Sequence, residues 1–259
     1  MQGMFFYLNF ATENKTGRQL KRLAISQVRN KIFTIKYRKD TSYGKCSLNR
    51  CNRIRRFSNS QRTALPRSQG NGSGAPCRQA AKNDNLTAVE EDVANVDAIA
   101  DIAKGKDAVI SAYNPGWTNP DIKHLIEVNY PKIVEAVKKS GVSRLLIVGG
   151  AGTLFVKPGL RVVDSGAIPA EIMDGVRPLG DFYLNDLMKE HDLDWVFFSP
   201  AGMFEEKGER TGKFRLGKDD LIIDPKTNSS HISVQDYAVA MVDELEKPAH
   251  HQERFTIGY

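Results

Sequence analysis

Tyr183 is the natural start of a search for proton-transfer chemistry, because a lysine four residues on would share its helix face and lower its pKa. Position 187 is a leucine, so Tyr183 reads as an aromatic on a helix face. Three other segments hold small or polar residues directly after apolar runs: Ser111, Ala112, Tyr113 and Asn114; Gly149, Gly150 and Ala151; and Ser199, Pro200 and Ala201. Ligands of open α/β sheets bind outside the carboxyl ends of the strands, so each is a candidate site segment, with a plain strand-to-loop turn as the alternative. Arg210, within Gly208-Glu-Arg-Thr-Gly212, is placed either to hold an acidic group or to stand solvated. His231, His250 and His251 show no metal-ligand spacing, and no metal site is expected. Cys46, Cys51 and Cys77 form an odd, irregular set with neither a disulfide framework nor a zinc spacing, which fits a reduced, cytoplasmic setting.

The elements that must carry these residues alternate from about residue 81 onward. Leu86–Val89 is a short strand, Val96–Lys104 a helix with Val96, Ile99, Ala100 and Ala103 on one face, and Asp107–Tyr113 a buried strand. Asn119 or Asp121 is positioned to cap a helix that runs to about Lys139. Arg144–Val148 is apolar after its first residue, as a parallel strand covered on both faces should be. A helix over Leu179–His191, a strand over Asp194–Ser199, a helix over Val234–Glu246 and a strand over Arg254–Ile257 complete the pattern. This βαβα order predicts an α/β fold with a doubly wound parallel sheet, and a small lobe made from about 153–180 and 202–232.

Charge divides the chain at the same place. Residues 1–80 hold 17 Lys and Arg against Glu13 and Asp40 alone, while the remainder carries 20 basic and 29 acidic residues, for a total of +6. No apolar run is long enough to span a membrane, and Met4-Phe5-Phe6-Tyr7 lacks the flanks of a secretory signal. From Gly44 to Ala80 there is no period of 2 or 3.6, and Gly70-Asn-Gly-Ser-Gly74 interrupts any element. Three readings of this basic segment stay open: a disordered tail that touches nucleic acid, an organelle transit peptide, or a segment that is not natural coding sequence.

Residues 82–259 resemble the atypical short-chain dehydrogenase/reductase branch of NAD(P)H-binding, NADH-flavin reductase-like proteins, whose fold is that of biliverdin reductase B. The resemblance rests on Asp107-Ala-Val-Ile-Ser-Ala-Tyr-Asn-Pro-Gly116, Arg144-Leu-Leu-Ile-Val-Gly-Gly-Ala-Gly152, Asp194-Trp-Val-Phe-Phe-Ser-Pro-Ala201, Gly208-Glu-Arg-Thr-Gly212 and Ile232-Ser-Val-Gln-Asp-Tyr-Ala238. It implies a Rossmann-like domain with NAD or NADP as cofactor. Asp92 would accept from the adenine amine while Val93 packs on the ring, with a solvated acid as the alternative. Tyr113 and Asn114 would border the ribose and nicotinamide, and Ser199, Pro200 and Ala201 would wall the nicotinamide pocket. Gly149 and Gly150 stand where catalytic relatives carry a hydroxyl, leaving Thr153 as a substitute. Without a Tyr-Lys pair, a ketone lacks its proton donor, whereas a flavin-like or quinone-like small-molecule acceptor asks mainly for two stacked rings. A non-enzymatic dinucleotide sensor is the alternative.

Such proteins begin with a strand and a Gly-x-x-Gly-x-x-Gly turn that seats the pyrophosphate at a helix N-terminus. This sequence has no such turn, so the first two strands are missing or scrambled. The genetic code suggests how. Read one base further on, Ser47–Arg62 permits Ala-Leu-Ile-Gly-Ala-Thr-Gly-Phe-Val-Gly-Ser-Ala-Ile-Leu-Asn-Glu, a strand followed by the absent fingerprint. Arg67–Gln79 permits a second strand ending in Val-Arg-Arg, and Tyr43-Gly44 permits a start codon in that frame. The expectation is a leader over 1–42, a domain start read out of frame over 43–80, and the NAD(P)-binding domain over 81–259.

Overall fold

A computed structural model describes Val89, residues 91–205 and 207–259, together with the backbone of three short strands nearer the N-terminus. Those strands are β1 (Tyr7–Asn9) and β2 (Ala24–Ser26), which pair antiparallel, and β3 (Phe33–Ile35). Then follow α1 (Val96–Ala103), β4 (Ala108–Ser111), α2 (Ile122–Ser140), β5 (Arg144–Val148), the hairpin β6 (Phe155–Lys157) and β7 (Leu160–Arg161), and α3 (Ala170–Asn185). The chain continues through β8 (Asp194–Ser199), β9 (Met203–Glu205), β10 (Arg215–Gly217), β11 (His231–Ser233), α4 (Val234–Glu246) and β12 (Glu253–Gly258).

Six strands form the main sheet in the order β10-β12-β8-β5-β4-β3. The inner four are parallel, while β10 and β3 join antiparallel at the two edges. The apolar runs seen in the sequence are apolar because both faces are covered. Val109, Leu145, Ile147, Trp195 and Phe197 point into a core with α1, α2 and α3, and Ala108, Ile110, Leu146, Val196 and Phe198 point into a second core with α4. A period of two thus sends alternate residues to different cores. β3 stands beside β4, where the first strand of a 3-2-1-4-5 order would lie, and it runs in the opposite direction.

The helices start and stop for local reasons. The Asn95 side chain accepts from Ala98 N at 3.3 Å to cap α1, and Ser233 does the same for Asp236 N at 3.1 Å in α4. Gly141 ends α2 in the left-handed conformation, φ +76°. At the other end of β5 from Val148, the buried Arg144 ties the strand to β8 through Asp194 at 2.9 Å and to α4 through Glu244 at 2.6 Å.

Three expectations change. The helix expected from Leu179 begins nine residues earlier, at Ala170, and runs through Pro178 before a 3-10 turn at Leu187–Lys189. Proline reads as a break because it lacks an N–H, but Gly175, Pro178 and Phe182 are all buried, and tertiary packing outweighs the lost hydrogen bond. The lobe is smaller than expected: residues from 170 on belong to α3, and β10 is the edge of the main sheet. Val89 is exposed and lies in no strand; the remainder of the strand expected at Leu86–Val89, and the segment 43–80 with its alternative frame, lie outside the described residues.

Candidate functional site

β4, β5 and β8 end side by side. Ser111, the last residue of β4, lies opposite Ile147 of β5, and Gly149 N donates to Phe198 O at 2.8 Å, so the ladder between β5 and β8 runs on to the glycine. Ser111 and Ser199 end their strands fully buried, and neither hydroxyl has a hydrogen-bond partner among the described residues. An unmet buried hydroxyl costs about 1–3 kcal/mol, so such groups gather where something else is to be bound. Pro200 and Ala201 are buried after Ser199.

Gly149 is small because of its neighbour. A Cβ there would lie 2.5 Å from Cε1 of Phe197, whose ring covers the backbone. Tyr183 stacks on that ring at 4.6 Å and meets Trp195 edge-on at 6.3 Å. Burial pushes the Tyr183 phenol above its ordinary pKa, and the Arg254 guanidinium, 4.9 Å from the ring centroid, only partly offsets it. The tyrosine is therefore a packed aromatic. Thr153 is also occupied: its hydroxyl accepts from Arg254 Nη1 at 2.7 Å, and Arg254 is held on its other side by Asp219. Ala151 and Gly150 remain half-buried, with Leu179 Cδ2 3.4 Å from where a Gly150 Cβ would stand.

On the other side of β4, Asp92 is exposed and its Oδ1 accepts from Ala94 N at 2.9 Å, while Val93 is in the core. The structure leaves the Asp92 carboxylate outward and turns the Val93 side chain inward. Tyr113 is 3% exposed; its hydroxyl accepts from Asn129 Nδ2 at 2.8 Å and its carbonyl from Tyr130 Oη at 2.8 Å. Burial raises the Tyr113 pKa, Asn129 opposes this, and the nearby Asp92 charge adds to it. Ala112 and Asn114 are half-buried, and Asn114 Oδ1 accepts from Gly116 N at 2.7 Å, shaping the loop after β4.

Beside this crevice, β9 and β11 pair in parallel. His231 Nδ1 meets Glu205 at 2.8 Å and Nε2 meets Asp224 at 3.1 Å, so both ring nitrogens are engaged and neither is left for a metal. The fully buried Asp236 takes hydrogen bonds from Thr211 N, Gly212 N at 2.8 Å, the Thr211 hydroxyl at 2.5 Å and Tyr259 Oη at 2.8 Å. It thereby fixes the loop that carries the exposed Arg210. Asn129 and Arg254 had no sequence signal, and Asp236 stood out only as part of the segment Ile232–Ala238, since the partners of all three lie 16 to 101 residues away.

The sequence pattern of the NAD(P)H-binding family matches residues 72–248, more than half of the chain. The chain belongs to that family. It is 37% identical over 175 residues to the uncharacterized protein YwnB of Bacillus subtilis, covering 67% of this chain and 79% of that one. Among solved structures it is similar to a "putative epimerase" of Bacteroides thetaiotaomicron, at 54% identity and a TM-score of 0.65 over 71% of this chain and 82% of that one. It is similar also to a "putative NADH-flavin reductase" of Streptococcus pneumoniae, at 30% identity and a TM-score of 0.58 over 70% and 84%. As in the NAD(P)H-binding family, the fold is Rossmann-like with a mainly parallel sheet. Among the described residues no helix is long and apolar enough to cross a membrane.

The described part of this NAD(P)H-binding domain fits its cofactor unevenly. The buried Ser111 and Ser199 hydroxyls are open to a bound group at the strand ends, and Asp92 presents an exposed carboxylate; these would suit the nicotinamide and the adenine amine respectively. The glycine-rich turn that receives a pyrophosphate is not among the described residues, where no helix starts behind such a turn.

Proposed function

We propose that this protein passes a hydride from NADH or NADPH to a flat small-molecule acceptor of flavin or quinone type. The observation that supports the reading is that within 111–114, 149–151 and 199–201 the one titratable side chain is Tyr113, buried with its pKa raised, while Ser111 and Ser199 offer only hydroxyls that do not titrate near neutral pH. Gly149 and Gly150 have no side-chain hydroxyl, Thr153 is buried with its oxygen held by Arg254, and Tyr183 is packed with its pKa raised. When bound, the nicotinamide supplies two electrons with one hydrogen as hydride. A flavin or quinone accepts these and takes its further proton from solvent, so no side chain need deliver one. A ketone, or an epimerisation that removes and returns a proton, would require a titratable group near ordinary pKa at the same spot.

In this reading Asp92 accepts from the adenine amine. The Ser111 and Ser199 hydroxyls and the backbone at Asn114, Gly149, Gly150, Pro200 and Ala201 hold the nicotinamide end, while Val93 and Tyr113 position their neighbours from the core. The test follows NADH and NADPH oxidation with FMN, with menadione and with a simple ketone. Acceptor-dependent oxidation with the first two and none with the ketone is expected; cofactor binding with no turnover on any acceptor would replace the enzyme with a dinucleotide sensor.

The alternative frame over 43–80 is part of the same proposal. The matches leave about a fifth of the relatives' length unaccounted for, which is room for a strand-helix-strand unit. Sequencing the DNA from codon 35 to codon 90 tests it. A base gained or lost near codon 80 is expected, and replacing residues 43–80 by the shifted reading should then strengthen NADPH binding by at least about a hundredfold, some 2.7 kcal/mol. An unbroken frame would mean a chain that has lost its phosphate turn.

A further inference from the structure

Trp117 lies just past the end of β4 and is 41% exposed, although a tryptophan is among the costliest side chains to leave in water. Its position is built. Gly116 turns the backbone at φ +104°, where only glycine sits without strain, and its N–H is held by Asn114 Oδ1 at 2.7 Å. Asn119 closes the same loop from the far side, its N–H donating to Gly116 O at 3.0 Å and its Nδ2 to Pro115 O at 3.4 Å. The six-membered ring of the indole then rests on α3 at Gly175. A Cβ on that glycine would stand 2.6 Å from Trp117 Cζ3 and 2.8 Å from Ile122 Cδ1. The glycine is therefore a seat, and it leaves the rest of the indole in the open.

That seat is next to the nicotinamide end. The same turn of α3 touches the end of β5: a Cβ on Gly152 would lie 2.6 Å from Val176 Cγ1, and one on Gly150 would lie 3.4 Å from Leu179 Cδ2. Gly175 and Leu179, four residues apart, share a face of α3 and stand about 6 Å apart along its axis, so Trp117 and Gly150 contact neighbouring turns of one helix. We infer that Trp117 is the platform on which the flat ring of the acceptor lies, facing the crevice from the β4 side. The inference rests on the hydride-transfer reading and gives it a specificity residue. A ring pinned before the ligand arrives loses little freedom on binding, which favours stacking on it.

The test uses the whole chain and the fact that it has only two tryptophans, Trp117 and the buried Trp195. FMN titrated into the wild-type protein, with riboflavin as a phosphate-free control, should quench the solvent-exposed, red-shifted part of the emission saturably and leave the buried component. Trp117→Ala should remove that quenching and raise KM for FMN and menadione about tenfold, with the NADPH dissociation constant unchanged. Trp117→Phe, which keeps the packing on Gly175, should restore most of the KM. Unsaturable quenching, or KM values unchanged in Trp117→Ala, would overturn the inference even if NADPH is oxidised. Quenching that NADP+ abolishes by competition would assign the indole to the cofactor and overturn it as well. Saturable quenching in a protein that oxidises no NADPH would retain the ring site and defeat the hydride-transfer reading alone.

Discussion

The ends of β4, β5 and β8 and the small lobe beside them meet the same problem, holding a loop still at a sheet edge, with different means. At the strand ends Gly149 lies under Phe197, Phe197 under Tyr183, and Gly175 under Trp117, so shape and contact fix the backbone and few charges are present. In the lobe, Glu205, Asp224 and Asp236 hold His231, Thr211, Gly212 and Tyr259 through charge-assisted hydrogen bonds. Packing is indifferent to pH and salt, whereas carboxylate networks respond to both. The difference teaches that the strand ends are held by packing that pH does not touch, and that the lobe can be loosened by protons.

Breaking the packed side should have the larger effect. Phe197→Ala removes a side chain that is 1% exposed and uncovers both Gly149 and Tyr183. A loss of about 3–5 kcal/mol is expected in denaturant unfolding, with cofactor binding lost as well. Asp236→Ala comes next: it strands the amides of Thr211 and Gly212 at a cost of about 1–3 kcal/mol. Amide exchange should show that loss mainly in residues 207–213, with β4, β5 and β8 unchanged; equal loss in both regions would erase the contrast.

The smallest effect is the lobe's pH dependence. The Lys226 amide and then His231 hold the Asp224 carboxyl below its ordinary 3.8. Asp236 is lowered too: burial raises it, but the Thr211 hydroxyl, the Gly212 and Thr211 amides and Tyr259 prevail. Such groups stabilise the fold above 3.8 and lose that contribution as pH falls through their lowered values. His231 is the reverse: burial lowers its pKa, Asp224 and Glu205 raise it more, and its contribution is complete below 6.5 and lost as pH climbs through the raised value. Exchange protection of the lobe should thus peak between pH 3.8 and 6.5. Protection should fall on the alkaline side, and His231→Asn should flatten that fall.

Much of this was legible in the chain. Asp194–Ser199 is a strand at the limits its pattern suggests, and Arg144–Val148 likewise, because continuous apolar runs between polar turns have few other uses. α4 follows from its cap and periodic face and α2 from its periodic face and Gly141 stop, although Asp121 at the start of α2 makes no side-chain capping bond. The start of α3 was hidden, since Pro178 reads as a boundary until Gly175 and Phe182 are seen to share its buried face. At the site, the segments after β4, β5 and β8 could be named from position alone, but not which atoms face the crevice. Tyr113 and Val93 turn into the core, and only Asp92 stays outside.

What the sequence by itself determined is therefore everything that local pattern encodes: the βαβα order, the strand ends where ligands gather, and the absence of a Tyr-Lys pair. Tertiary structure alone decided what rests on contacts between distant residues. It made Gly149 and Gly175 seats for Phe197 and Trp117, spent Thr153 on Arg254, and fastened the loop at Thr211 to Asp236. A glycine looks the same in a turn and beneath a ring, and a carboxylate shows no trace of its partner until the chain has brought the two within hydrogen-bonding distance.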